Sequence, residues 1–227
     1  MLIEMSYVMD SGMPKWPTNP EDRLSWELSF KNGDPNNASS VFHHMHSGTH
    51  VDAPAHFSPN GKTIEEIPVE DFCYCSPCVL EIAKGKGGRI EKEDLEKYKP
   101  QVEEADLLLI YTGNGALRKR KPDSYVDRFP CFSVEAAEYL RMSFPKLKGI
   151  AVDFVGVDSG TDGMKEGFPV HHAFLDTIEN VRTLLLYEDV NVEEILPYKN
   201  RIKRITAYPV RWAGAEAAPV AMVAETE

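Results

Sequence analysis

The chain is short of positive charge. Its 227 residues carry 25 lysines and arginines against 36 acidic residues, a net charge of -11 at pH 7. A surface for nucleic acid or an anionic membrane needs clustered Lys and Arg, so neither is an expected partner. The one basic run, Arg118-Lys119-Arg120-Lys121, is short, stops at Pro122 and reads as a solvated loop. Long apolar runs are missing too, and nothing approaches the ~20 residues of a membrane-spanning helix. The opening Met1-Leu2-Ile3-Glu4-Met5 lacks the basic-then-apolar order of a signal peptide. A cytoplasmic location is the expectation.

Cysteine is scarce. Three of the four, Cys73, Cys75 and Cys78, form C-x-C-x-x-C, a spacing that can mark a structural zinc. No fourth ligand stands close by, and the segment runs into the apolar Val79-Leu80-Glu81-Ile82-Ala83. These cysteines and Cys131 are therefore expected to be free, partly buried thiols of a reducing compartment. Repeats, low-complexity tracts and linkers are also lacking, so a single domain over 1–227 is the simplest organisation.

Leu24-Ser25-Trp26-Glu27-Leu28-Ser29-Phe30 alternates apolar and polar residues. The pattern predicts a half-buried strand ending at the turn-forming Lys31-Asn32-Gly33-Asp34-Pro35. A second strand is predicted over 39–46, with His44 and His46 on one face and His43 and Met45 on the other. Short apolar runs at 79–83, 107–111, 150–154, 183–188, 205–210 and 220–224 predict buried strands. Helices are predicted at 91–98, 133–142 and 170–178. Ser133 is the N-cap of the second, Glu135 sits in its first turn, and Pro145 stops it. Interleaved strands and helices predict a mixed α/β domain with mixed strand order.

Histidine, by contrast, is bunched. His43, His44, His46, His50 and His56 lie within 41–57, and His171 and His172 sit together downstream. Imidazole is the commonest metal ligand and carboxylate its usual partner. His46 precedes Gly48, where the chain can bend, and His50 and Asp52 are two apart, so an extended backbone points both to one side. Together the three supply two nitrogens and an oxygen to a divalent ion, leaving a position for water. His56, beyond Pro54, falls beside that water, placed to carry its proton. The second oxygen of Asp52 can bridge to another ion, with His171 or His172 and an acid such as Glu188 completing a second position. Spacing does not choose between His171 and His172. His43 and His44 read as strand residues flanking the site.

Other features are weaker. Thr112-Gly113-Asn114-Gly115 follows a strand but lacks the frame and lysine of a phosphate loop. Asp153 and Asp158 flank Val155-Gly156-Val157 at a strand end and are candidates for the site rim. Trp16, Trp26 and Trp212 suit a pocket, an interface or the core.

The run His46-Ser47-Gly48-Thr49-His50-Val51-Asp52-Ala53-Pro54-Ala55-His56-Phe57 resembles the H-x-G-T-H-x-D-x-P-x-H-F signature of the metal-dependent cyclase-like hydrolases. That family includes bacterial kynurenine formamidases and isatin hydrolases. The resemblance extends to Ile3-Glu4-Met5-Ser6, to Gly149-Ile150-Ala151-Val152-Asp153 and to the closing segments Tyr208-Pro209-Val210-Arg211 and Ala218-Pro219-Val220. It implies a swivelling β/β/α fold, a homodimer or homotetramer, and metal-activated hydrolysis of a small amide, formamide or lactam. It implies His46, His50 and Asp52 as metal ligands, His56 as the catalytic histidine, and His171 and Glu188 as downstream ligands. The ion is zinc or manganese, one or two in number. The interval from His171 to Glu188 is longer than the family's by about one helical turn, which leaves Glu179 as a competitor. Asn114 stands where the family commonly has an aromatic residue, so kynurenine formamidase specificity does not follow. Two rival expectations are a cyclase or dehydratase using the same ion as a Lewis acid, and a non-enzymatic metal-binding domain.

Overall fold

The computed structural model describes residues 1–227. The first strands are β1 (Leu2–Glu4), β2 (Arg23–Leu28), β3 (Ala38–Phe42) and β4 (His50–Asp52). Next come β5 (Cys73–Tyr74), β6 (Pro77–Glu81), β7 (Arg89–Ile90), β8 (Leu107–Tyr111) and β9 (Cys131–Phe132). The last are β10 (Gly149–Val152), β11 (Leu185–Glu188), β12 (Ile202–Pro209) and β13 (Ala217–Thr226). Nine of them make one mixed sheet in the order β5-β12-β13-β4-β11-β10-β8-β6, with β1 beside the end of β13. Strands β6, β8, β10 and β11 run parallel, whereas β4, β13, β12 and β5 pair antiparallel. The sheet curls nearly closed, bringing edge strand β6 against β12.

Alternation along the strands builds two cores. Leu107, Leu109, Ala151 and Tyr187 point into the interior with Met5, Tyr74, Ile205 and Met222. Leu108, Ile110, Ile150, Val152 and Leu186 point outward against the helical layer. Burial on both faces is why these parallel strands read as unbroken apolar runs. Helix Val134–Ser143 begins where the Ser133 hydroxyl accepts from the Ala136 N–H at 3.2 Å and ends just ahead of Pro145. It covers the outer face with Ala136, Ala137 and Leu140, beside the shorter helix Pro169–Leu175. No helix is long and apolar enough to cross a membrane.

Three expectations are corrected. The strand read at 24–30 is β2, but it is not half-buried. It pairs only with β3, and Leu24, Trp26 and Val41 are 56%, 61% and 65% exposed. The strand read at 39–46 stops at Phe42, because the Asp22 carboxylate takes over the chain there. It accepts from the His44 N–H at 2.9 Å and lies 2.7 Å from His43 Nδ1. His44 and His46 therefore follow a turn rather than a pleat. The basic run is no loop either: Gly115–Arg120 is helical, and Arg118 is buried. Its guanidinium donates twice to Asp189, at 2.6 Å each, and lies 3.9 Å from the Tyr7 ring centroid. Tyr125 donates to the same carboxylate at 2.6 Å.

Breaking that buried pair from one side leaves Asp189 uncompensated. Arg118→Ala is expected to cost about 3–5 kcal/mol in denaturant unfolding. The exposed neighbour Lys119→Ala should stay within about 0.5 kcal/mol of the parent.

Candidate metal centre

Strand β4 lies between β11 and β13, and its register sets the site. His50 pairs with Glu188, and Asp52 lies opposite Leu186 on one side and Ala217 on the other. Side chains directly opposite across an antiparallel pair meet on one face. His50, Asp52 and Glu188 therefore converge on the face that carries the helices. Gly48, at φ +67, turns the chain so that His46 comes back over Asp52. Helix Pro169–Leu175 brings His171 onto the same point.

The nitrogen-to-oxygen separations are short. His46 Nδ1 is 2.8 Å from Asp52 Oδ1, and His50 Nε2 lies 3.4 Å from Asp52 and 3.5 Å from Glu188. His171 Nε2 lies 3.4 Å from Glu188 and 3.7 Å from Asp52. Each imidazole turns one nitrogen inward and the other onto an oxygen outside. The outward partners are the Gly48 carbonyl for His50 at 2.9 Å, Asp158 for His171 at 2.5 Å and Glu216 for His46 at 3.2 Å. Outward hydrogen bonds of this kind fix the tautomer of a metal-ligating histidine. The Val157 N–H donates to Glu188 at 2.9 Å, steadying the remaining carboxylate.

The cluster fits a divalent cation. Asp52 is fully buried, and neither of its oxygens makes a well-aligned hydrogen bond, although His46 Nδ1 stands only 2.8 Å away; His50 Nε2 is likewise without one. Burying a carboxylate costs several kcal/mol, which nearby positive charge, imidazolium or a bound cation, offsets. Two sets of ligand atoms each lie within 4.8 Å of one another: His50, Asp52 and Glu188, and His46, Asp52 and His56. Both contain Asp52, so the geometry admits one ion or two bridged by it. Neither set contains a cysteine, and all four cysteines are free.

The electrostatics agree. Burial alone raises the Asp52 pKa, but His46, His56 and His50 outweigh it and hold the carboxyl well below its usual range. Burial disfavours charge on His171, yet Asp158 and Glu188 lift it to about 10. Burial pushes His56 down to about 4, so its imidazole is neutral at physiological pH. The His46 contact draws Glu216 down to about 2.

The cluster opens into a cleft of about 390 Å³, where His44, His46, His56 and Glu216 face the aromatic rings of Trp16, Phe57 and Phe168. Phe57 stacks on His171 with centroids 4.8 Å apart, and His56 lies 4.0 Å from the His46 ring.

The structure thus brings His46, His50, Asp52, His56, His171 and Glu188 together. It leaves out His172, which is 44% exposed and bonded to Asp176, and Glu179, which lies in an exposed turn. His43 stays with Asp22, while His44 is on the cleft wall rather than in a flanking strand. Asp158 is not on the rim: it is buried behind His171 and also accepts from the Val170 and His171 N–H groups. Asp153 is away from the cluster and ties down the 112–115 loop, accepting from Thr112, Gly113 and Gly115. Glu216 went unread. The signal available was a lone acid just before the closing apolar strand, and nothing local connects it to His46.

Comparison with known proteins gives a consistent picture. The family described as "Putative cyclase" matches residues 3–159. A kynurenine formamidase from Paracidovorax citrulli is 25% identical over 232 residues, covering 100% of this chain and 97% of its own. Isatin hydrolase A from Labrenzia aggregata, solved with benzyl benzoate, shares the fold at TM-score 0.79 and 19% identity, over 100% of this chain and 94% of its own. So does a predicted metal-dependent hydrolase from Bacillus stearothermophilus, at TM-score 0.70 and 20% identity, over 99% and 97%.

Because Asp52 belongs to both ligand sets, Asp52→Ala is expected to reduce retained divalent metal to background, measured by elemental analysis of the purified protein. His172→Ala should retain the parent amount. Saturating metal at about 100 times its Kd should stabilise the parent fold by about 2.7 kcal/mol, and chelation should remove that increment.

Proposed function

The chain belongs to the Putative cyclase family, and we propose that it is a metal-dependent hydrolase acting on the C–N bond of a small amide, formamide or lactam. The observation that carries this reading is the buried Asp52 carboxylate, ringed by His46, His50, His171 and Glu188 and open to a cleft beside a neutral imidazole. A divalent ion, zinc or manganese, supplies a water of lowered pKa and polarises a carbonyl oxygen when bound.

The chain's own residues supply the rest. His46, His50, Asp52, His171 and Glu188 would hold the ion. His56 stands in the cleft with no hydrogen bond to either ring nitrogen, free to take a proton from the attacking water. Returned to the leaving nitrogen, the same proton lets the C–N bond break as the water oxygen enters the new carboxylate. Trp16, Phe57 and Phe168 form flat apolar walls with ring centroids 5.8–6.0 Å apart, which suits an aryl substrate. The kynurenine formamidase and isatin hydrolase relatives support that preference.

Assembly as a homodimer or homotetramer is part of the same proposal. A two-stranded hairpin is marginally stable alone, yet β2 and β3 expose Leu24, Trp26, Leu28, Val41 and Phe42, with Phe30 at the tip. Leu24, Trp26 and Val41 share one face of this ribbon and make an apolar patch that nothing in the chain covers. A second copy of this chain is the occupant proposed.

His56→Ala should keep the ion held by His50, Asp52 and Glu188 while losing about 10²–10⁴-fold in turnover of an N-formyl aryl amine or lactam. Full turnover in that variant overturns the role of His56. Label from heavy-oxygen water must appear in the carboxylate product; its absence points to cyclisation or dehydration. Trp26→Ser should lower the mass found by light scattering to that of a monomer, and an unchanged oligomer rules out the hairpin interface.

A further inference from the structure

We propose that Glu216 is a positioning residue for the metal centre, holding His46 in the tautomer and orientation that aim Nδ1 at Asp52. The inference rests on the metal-binding reading of the cluster. His46 is the most exposed of the three inward-turned imidazoles, with 16% of its side chain accessible against 2% for His50 and 7% for His171. His50 and His171 are anchored from behind by buried groups, the Gly48 carbonyl and the Asp158 carboxylate. The Asn19 side chain donates to the His46 carbonyl at 2.9 Å and so holds its backbone. The ring itself has only Glu216 on its outer nitrogen, at 3.2 Å.

Glu216 is well placed for this task. The Ala53 N–H donates to the Glu216 carbonyl at 2.9 Å, and the next residue, Ala217, lies directly opposite Asp52. The backbone that carries the carboxylate is thus pinned to the strand that carries the ligands. Its side chain then reaches over the cleft edge to Nε2. A carboxylate on the outer nitrogen of a ligating imidazole raises the basicity of the inner one, and its loss typically weakens metal binding 10–100-fold. Because Glu216 touches His46 alone among the three rings, that loss falls on the His46 side, while His50, His171 and Glu188 keep their supports.

The test is a double-mutant cycle read by calorimetric titration of the metal-stripped chain with zinc, and by its cobalt absorption spectrum. Glu216→Ala should weaken binding about 10–100-fold and change the cobalt spectrum. Glu216→Gln, which keeps an acceptor oxygen, should recover part of both. In a His46→Ala background, Glu216→Ala should add nothing. Parent-like affinity and spectrum in Glu216→Ala overturn the proposal, as does an additive loss in the His46→Ala background. The metal-free thermal midpoint should fall only modestly, since the Ala53 bond uses only backbone atoms and the Glu216 side chain is partly exposed. Should Glu216→Ala fail to fold, Glu216→Gln carries the same cycle under the same criteria. These readouts need no turnover. A parent chain that binds neither metal refutes the metal reading itself, whereas a parent that binds as tightly as its variant refutes only the role of Glu216.

Discussion

A carboxylate buried in the middle of a sheet is the constraint from which the rest of the site follows. Asp52 lies on the strand between β11 and β13, shut off from solvent and without a well-aligned hydrogen bond at either oxygen. Left alone, such a group costs several kcal/mol, a large share of a typical domain's margin of stability. The surroundings are organised to supply positive charge instead. Three imidazole nitrogens point at it, and each of those rings is braced from behind. Burial disfavours charge on His50 and His171, yet their carboxylate neighbours raise both pKa values well above the usual range. On the proposed metal reading, protons and a divalent cation compete for the same position, so metal uptake would release protons.

The strands divide the work with the loops. His50, Asp52 and Glu188 come from paired strands in the sheet interior, where register leaves little freedom. A one-residue slip between β4 and β11 turns the ligands to the other face. His46, His56 and Glu216 come from the turns at the ends of β4 and β13, and they line the cleft. Rigid elements hold the charge, and loops shape the approach to it.

Much of this was legible in the chain because the decisive contacts are local. His46, His50, Asp52 and His56 lie within one turn, one strand and one short helix, so spacing together with the family signature points to their convergence, although not to the turn that carries His46. Fully buried strands such as β8 announce themselves as apolar runs. What was illegible depends on distant partners. Adjacent histidines in helix Pro169–Leu175 differ by about 100° around the axis, and only packing of that helix decides that His171 faces Glu188. The alternation in Leu24–Phe30 signals a strand, but alternation does not say whether anything covers the apolar face. Arg118 reads as one charge in a run, because its partner Asp189 is far away in sequence.

The position of Asp189 shows how far the support extends beyond the ligands. It follows Glu188 directly, holds a left-handed backbone at φ +51, and is gripped by Arg118 and Tyr125 while its carbonyl accepts from the Thr49 hydroxyl at 2.6 Å. A non-glycine residue in that region is strained by about 1–3 kcal/mol. The strain persists because side-chain contacts on one side and a backbone contact on the other fix it from both directions. Thr49 precedes His50 and Asp189 follows Glu188, so one hydrogen bond clamps the ends of the two strands that present the facing ligands. Sheet register sets which residues face each other, and this clamp sets how closely they stay. The proposed cation position between His50 and Glu188 depends on both.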